Sequence, residues 1–138
     1  MFRRSLFSII FLVGVSLLVS FPLAAKNSRK PLDIYMIVWR GCEDACMGFQ
    51  DYFRERDIEV NFILRDAARD TKRLPGFVRE ATEMNVDLVL TLGTSVTVNT
   101  VGKLGKVNPD VHLTDIPVVF MIVADPVGAK INESYESS

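Results

Sequence analysis

The chain has one histidine, two cysteines and one tryptophan among its 138 residues, and these scarcities exclude several chemistries. His112 lies in a polar stretch, and no spacing brings it to Ser95, so a Ser-His-Asp catalyst has no support. Two sulfurs and one distant imidazole are too few for a metal centre. Neither Gly-x-x-x-x-Gly-Lys nor Gly-x-Gly-x-x-Gly occurs, which removes the common phosphate-cradling loops. A nucleophile elbow centred on Ser95 fails as well, because Thr97 stands where its second glycine is required. Charge of one sign is not in excess: 16 Lys and Arg against 17 Asp and Glu give a net charge of −1, with no electrostatic footprint for nucleic acid. Internal repeats and low-complexity segments are absent, and the length permits one domain.

The long apolar run that is present lies at the N-terminus. Arg3 and Arg4 precede an uncharged apolar stretch over residues 6–21, and Pro22-Leu23-Ala24-Ala25 supplies small residues at a cleavage point before Lys26. Residues 1–25 read as an export signal that is cut, with an uncleaved anchor as the alternative. No cysteine closely follows the run, so a lipid-anchored export signal is not expected. Cleavage would remove Arg3 and Arg4 and take the net charge from −1 to −3. Residues 26–31 form a short, solvated tether. The expected compartment is the periplasm, where Cys42 and Cys46 meet an oxidising environment.

Beyond the tether, apolar runs alternate with amphipathic ones. Strands are expected at 33–39, 58–64, 86–92 and 116–123, and helices at 42–54, from Leu74-Pro75 to Asn85, and from Gly93 to about Lys103. The second helix places Leu74, Phe77, Val78, Ala81 and Met84 inward at helical spacing. Pro75 is tolerated there because it falls in the first turn. The second strand alternates Ile58, Val60, Phe62 and Leu64 with Glu59 and Asn61, the pattern of an edge with one buried face. The fourth is uncharged and β-branched, with Pro117 near its start, as suits a strand covered on both faces. The connection at 107–115 is polar, turning at Asn108-Pro109, and leaves His112 exposed.

The order β-α-β-α-β-α-β with crossover-length helices gives an α/β open parallel sheet with helices on both faces. With the second strand at the edge, the spatial order is 2-1-3-4. Ligands of such sheets bind beyond the carboxyl ends of the strands, where Trp39-Arg40, Gly93-Thr94-Ser95 and Ala124-Asp125 all emerge. Gly93, Thr94 and Ser95 open a helix and could hold a carboxylate or phosphate, or Thr94 or Ser95 could simply cap it. Asp125 could bind an ammonium group or begin an Asp-Pro turn. Trp39 and Arg40 could stack on and pair with a ligand, or the indole could pack beneath the following loop. Cys42 and Cys46, four apart at a helix start, are open to a structural disulfide, two free thiols or a reactive pair.

Three stretches then carry a family resemblance: VDLVLTLGTSVT, DIPVVFMIVADPVGA and WRGCEDACMGFQDYF. Their order and spacing resemble the bacterial ABC-transporter substrate-binding family that includes tryptophan- and tyrosine-type solute-binding proteins, over Leu32 to about Ile131. The resemblance implies a type I periplasmic-binding-protein fold, two Rossmann-like lobes closing on a small solute, of which residues 32–131 are the N-terminal lobe and 132–138 the start of a hinge. It implies that Gly93, Thr94 and Ser95 meet a solute carboxylate, that Asp125 lines the cleft, and that the loop after Trp39 forms the other wall. It further implies an amino-acid-like solute, an ABC permease as partner, no cofactor and no catalysis. Family members continue into a second lobe where this chain stops at Ser138, so a truncated, weakly stable protein without tight solute binding is expected. An exported thiol-disulfide oxidoreductase using Cys42 and Cys46, and the periplasmic sensing domain of a receptor, are the alternative readings.

Overall fold

The computed structural model describes residues 30–136; the expected export signal over 1–25, most of the expected tether and the last two residues lie outside the described residues. Its elements run β1 (Leu32–Val38), α1 (Asp44–Arg54), β2 (Val60–Asp66), a single 3-10 turn (Thr71–Arg73), α2 (Leu74–Met84), β3 (Leu88–Leu92), α3 (Thr94–Val101) and β4 (Val118–Met121). The four strands form one sheet in the order β2-β1-β3-β4, and each neighbouring pair is parallel. This is the α/β sheet expected from the alternation of elements, with β2 at one edge.

Side-chain alternation along the central strands divides the core in two. Tyr35, Ile37 and Val89 face α2 and α3, meeting Leu74, Val78, Ala81 and Val96. Ile34, Met36, Val38, Leu90 and Leu92 face α1, meeting Cys46, with Phe49, Phe53 and Phe62 closing the edge. Those three rings pack at tilted and edge-on angles with centroids 5.1–6.3 Å apart, an arrangement aromatic quadrupoles favour.

Several boundaries differ from the periodicity. Met84 is 46% exposed rather than inward, because α2 ends there and Asn85 turns left-handed as its C-cap. The third helix stops at Val101, two residues short of Lys103, because Gly102 takes φ 80° and ψ −170°, outside helical space. Strand β2 begins and ends two residues later than its apolar alternation suggests. Asp57, in the left-handed region, delays its start. At its end, Asp66 pairs with Val38 at the last rung of the ladder. The fourth strand is half as long as its apolar run, ending at Met121 before a left-handed Ile122. His112 is half-buried rather than exposed: its Nδ1 accepts from the Asn108 N–H at 2.9 Å.

A polar cross-link spans β1, β2 and α2. Buried Tyr35 donates its hydroxyl to Glu80 Oε2 at 2.7 Å, and the Arg65 guanidinium grips the same carboxylate from Nε at 2.9 and 3.1 Å and from a second nitrogen. Arg65 and, secondarily, Tyr35 hold the Glu80 carboxyl below its ordinary value against an opposing effect of burial. Burial first, then Glu80, pushes the Tyr35 phenol well above its ordinary value. A lowered carboxyl contributes stability that is present above its unfolded pKa of about 4.3 and lost as pH falls through the folded value. A raised phenol contributes stability below about pH 10 that is lost as pH rises beyond it. Urea midpoints measured across pH should therefore fall at both ends. Tyr35→Phe should flatten the alkaline limb, leave most of the acid limb, and cost about 1 kcal/mol at neutral pH. An unchanged alkaline slope would show that Tyr35 is not the group responsible.

Candidate functional site

The carboxyl ends of β1, β3 and β4 surround an open groove of about 200 Å³. Parallel strands deliver all three ends to one edge of the sheet, so short-range sequence sets each wall separately. Val38, Trp39, Arg40 and Gly41 come from the end of β1, Glu43 from the start of α1, Leu92 and Gly93 from the end of β3, and Ile122 from the end of β4.

The floor is pinned from below. Gly93 donates its N–H to the Met121 carbonyl at 2.9 Å, locking the end of β4 to the start of α3. Buried Thr97 donates its hydroxyl to the Gly93 carbonyl at 2.9 Å and lies 2.9 Å from the hydroxyl of buried Thr91. With the Thr97 proton committed to Gly93, Thr91 is the donor to Thr97. Gly93 itself is the N-cap of α3, at φ 98° and ψ 149°, with no side chain capping the helix. That backbone conformation is essentially restricted to glycine, and a Cβ placed there would have nothing within 4 Å. The first amides of α3 therefore open beside free space, a geometry suited to an anionic group. Neither Thr94 nor Ser95 supplies a capping bond.

The β1–α1 wall is held from the neighbouring strand end. Asp66 accepts from Gly41 N–H at 2.9 Å and from Ala68 N–H at 2.7 Å, and Arg69 N–H reaches the Trp39 carbonyl at 2.8 Å. Arg40 Nε donates to Glu43 Oε1 at 2.9 Å in a pair whose side chains are both more than half exposed. Such a pair stabilises the fold little, so separating its two charges would cost the fold little. Cys42, between these residues, is joined to Cys46 by a disulfide.

Of the residues singled out from sequence, Trp39, Arg40 and Gly93 line the groove together. Thr94 and Ser95 follow on the first turn of α3 without lining it, Thr94 half-buried and Ser95 exposed. Asp125 is directed into its own turn: its Oδ1 accepts from Gly128 N–H and from the Tyr135 hydroxyl, each at 2.8 Å. These two donors, the Gly128 amide foremost, hold its carboxyl below the usual range. A Cβ at Gly128 would collide with that carboxylate, 2.7 Å from its Cγ, which fits the Asp-Pro-Val-Gly sequence to a side-chain-capped turn. Sequence reasoning missed Glu43, Leu92 and Ile122 as groove residues. Glu43 was legible only as an acidic complement to the α1 dipole, and Leu92 and Ile122 only as strand residues. Among the described residues no cluster of three metal-ligating side chains occurs, and no helix is long and apolar enough to cross a membrane.

No family model matches the chain, and no curated protein matches it in sequence. Solved structures do match its fold. A conserved domain protein from Vibrio cholerae superposes with a TM-score of 0.65 at 18% identity, over 78% of this chain and 36% of that one. The ligand-free, open structure of a substrate-binding protein with adhesive properties from Clostridium difficile gives 0.62 at 14% identity, over 75% and 34%. The ABC domain from Streptococcus pneumoniae in complex with L-Trp gives 0.60 at 18% identity, over 76% and 35%. The chain thus spans about a third of the length of the structures it matches. What it shares with them is the fold of a Rossmann-like lobe, with the sheet order 2-1-3-4.

Proposed function

We propose that this chain supplies one wall of a cleft that binds a small, amino-acid-like organic solute, as the N-terminal lobe of an exported solute-binding protein serving an ABC-type permease. The observation that carries this reading is the groove at the carboxyl ends of β1, β3 and β4, where a glycine-opened helix start, an exposed Arg40–Glu43 pair and Trp39, its side chain partly packed against the core, converge. The three could respectively meet a carboxylate, both charges of a zwitterion, and an apolar side chain. The fold shared with a substrate-binding protein and with an ABC domain in complex with L-Trp supports it further. No bond is made or broken in such a role. Binding proceeds by closure of a second lobe over the solute, and residues 1–25 direct export. Asp125 contributes by shaping the turn at the cleft's rim rather than by direct contact.

A single wall makes roughly half the contacts of a closed cleft, so the expected affinity is weak, with a Kd on the order of 1 mM. Titrating the 15N-labelled chain with L-tryptophan should shift the amides of Gly41, Gly93, Thr94 and Ser95 and the indole N–H of Trp39. Absence of shifts at about 50 mM solute, or shifts centred on the β2 edge, would overturn the proposal.

A further inference from the structure

Six non-glycine residues among those described hold a positive φ: Asp57, Ala68, Arg69, Asn85, Ile122 and Lys130. Asn85 closes α2, and Asp57, Ala68, Arg69 and Lys130 lie in turns; none of these five branches at Cβ. Ile122 does, and at φ 56° its branched side chain crowds the backbone in a region such residues rarely enter. Burial does not offset the cost, since Ile122 is 62% exposed. Turning the chain after β4 does not require isoleucine either, because glycine adopts the same conformation without strain.

The position of the strain supplies its account. Gly93 N–H holds the Met121 carbonyl, so β4 is fixed up to Met121 and the whole change of direction falls on Ile122. Because β3 lies between β1 and β4, Ile122 and Trp39 flank Gly93 from opposite sides, and both line the groove. We infer that Ile122 is a specificity-determining contact: its left-handed backbone keeps an apolar side chain at the groove, facing the apolar part of the solute across Gly93 from Trp39. The inference rests on the solute-binding reading above and adds to it a named residue and a conformational cost.

Stability and affinity should then move in opposite directions. Ile122→Gly is expected to raise the urea midpoint by relieving the backbone, and to weaken L-tryptophan binding about five-fold through lost apolar contact. L-alanine, with little apolar surface to offer, should change far less. Ile122→Leu, which keeps the bulk without the Cβ branch, should gain stability and retain most of the affinity. A lower midpoint in Ile122→Gly would show that the residue is not strained. Unchanged tryptophan affinity in Ile122→Gly, with the unaltered chain binding normally, would remove Ile122 as a contact and leave the solute site standing. Failure of the unaltered chain to bind L-tryptophan or L-alanine would instead remove the solute reading and this role with it.

Discussion

Replacing Gly102 with alanine is expected to cost about 3 kcal/mol of folding stability, from two separate sources. The backbone at Gly102 has φ 80° and ψ −170°, a region open to glycine and closed to residues bearing a Cβ, which accounts for about 1–3 kcal/mol. The added methyl would also lie 2.8 Å from His112 Nδ1 and 3.1 Å from its Cε1, overpacking worth another 1–3 kcal/mol or so. The ring cannot swing aside freely. His112 Nδ1 accepts from Asn108 N–H at 2.9 Å, and the Asn108 carbonyl accepts from His112 N–H at 2.9 Å. The next residue, Leu113, is buried in the core and donates its N–H to the Thr100 carbonyl at 2.8 Å. Moving the imidazole would therefore loosen the connection that leads into β4. Urea denaturation of Gly102→Ala, His112→Ala and the double variant separates the sources. The double variant should recover the steric part and retain the backbone part. A loss below about 1 kcal/mol in Gly102→Ala would contradict both.

The role of Gly102 illustrates which features of this fold can be read from residue order. Sheet order was legible because it follows from local signals: apolar runs for the central β1 and β3, alternation for the β2 edge, Pro75 and Asn85 at the ends of α2, and glycines at both ends of α3. The uncharged, β-branched run of β4 reads as covered on both faces, yet β4 is the other edge of the sheet and Val119 is 44% exposed. Parallel connectivity then carried three strand ends to one edge, and Trp39, Arg40 and Gly93 were placed at the groove by topology alone. Features that depend on contacts between distant residues were not legible. Asp66 reads as part of a charged connection, yet it secures Gly41, which is 25 residues away in sequence. Thr97 reads as the reason an elbow fails, yet it fixes Gly93 from within the core. Ile122 sits in an apolar run that gives no warning of a left-handed backbone, because the break comes from the fixed end of β4 rather than from the residue itself. Asp125 is the opposite case. Its turn was available in the sequence, since Gly128 three residues on permits the side-chain cap, and the local bond claims the carboxylate that the cleft reading assigned to a ligand.

The disulfide Cys42–Cys46 should contribute about 2 kcal/mol, the value expected from loop-closure entropy for so short a loop, and its loss should be felt in the groove. The two Cα atoms are 5.2 Å apart, and the bond ties the loop preceding α1 to the helix's first turn. Glu43, the N-cap, makes no side-chain capping bond, so the covalent link does the work a cap would otherwise do. Cys46 is fully buried against Met36 and Leu90, whereas Cys42 is half-buried. Gly41 and Glu43, on either side of Cys42, both line the groove. Reduction should therefore lower the urea midpoint by an amount equivalent to about 2 kcal/mol. It should also broaden the amides of residues 40–47, while β3 keeps its spectrum. The same experiment weighs the oxidoreductase alternative. Thiol exchange requires an accessible sulfur and a stabilised thiolate, and a sulfur with no exposed surface offers neither without local opening. After reduction under native conditions, Cys46 should resist alkylation until denaturant is added, and Cys42 should react slowly. Reaction of either thiol faster than that of an unstructured peptide, with groove amides undisturbed, would favour a redox role over a structural one.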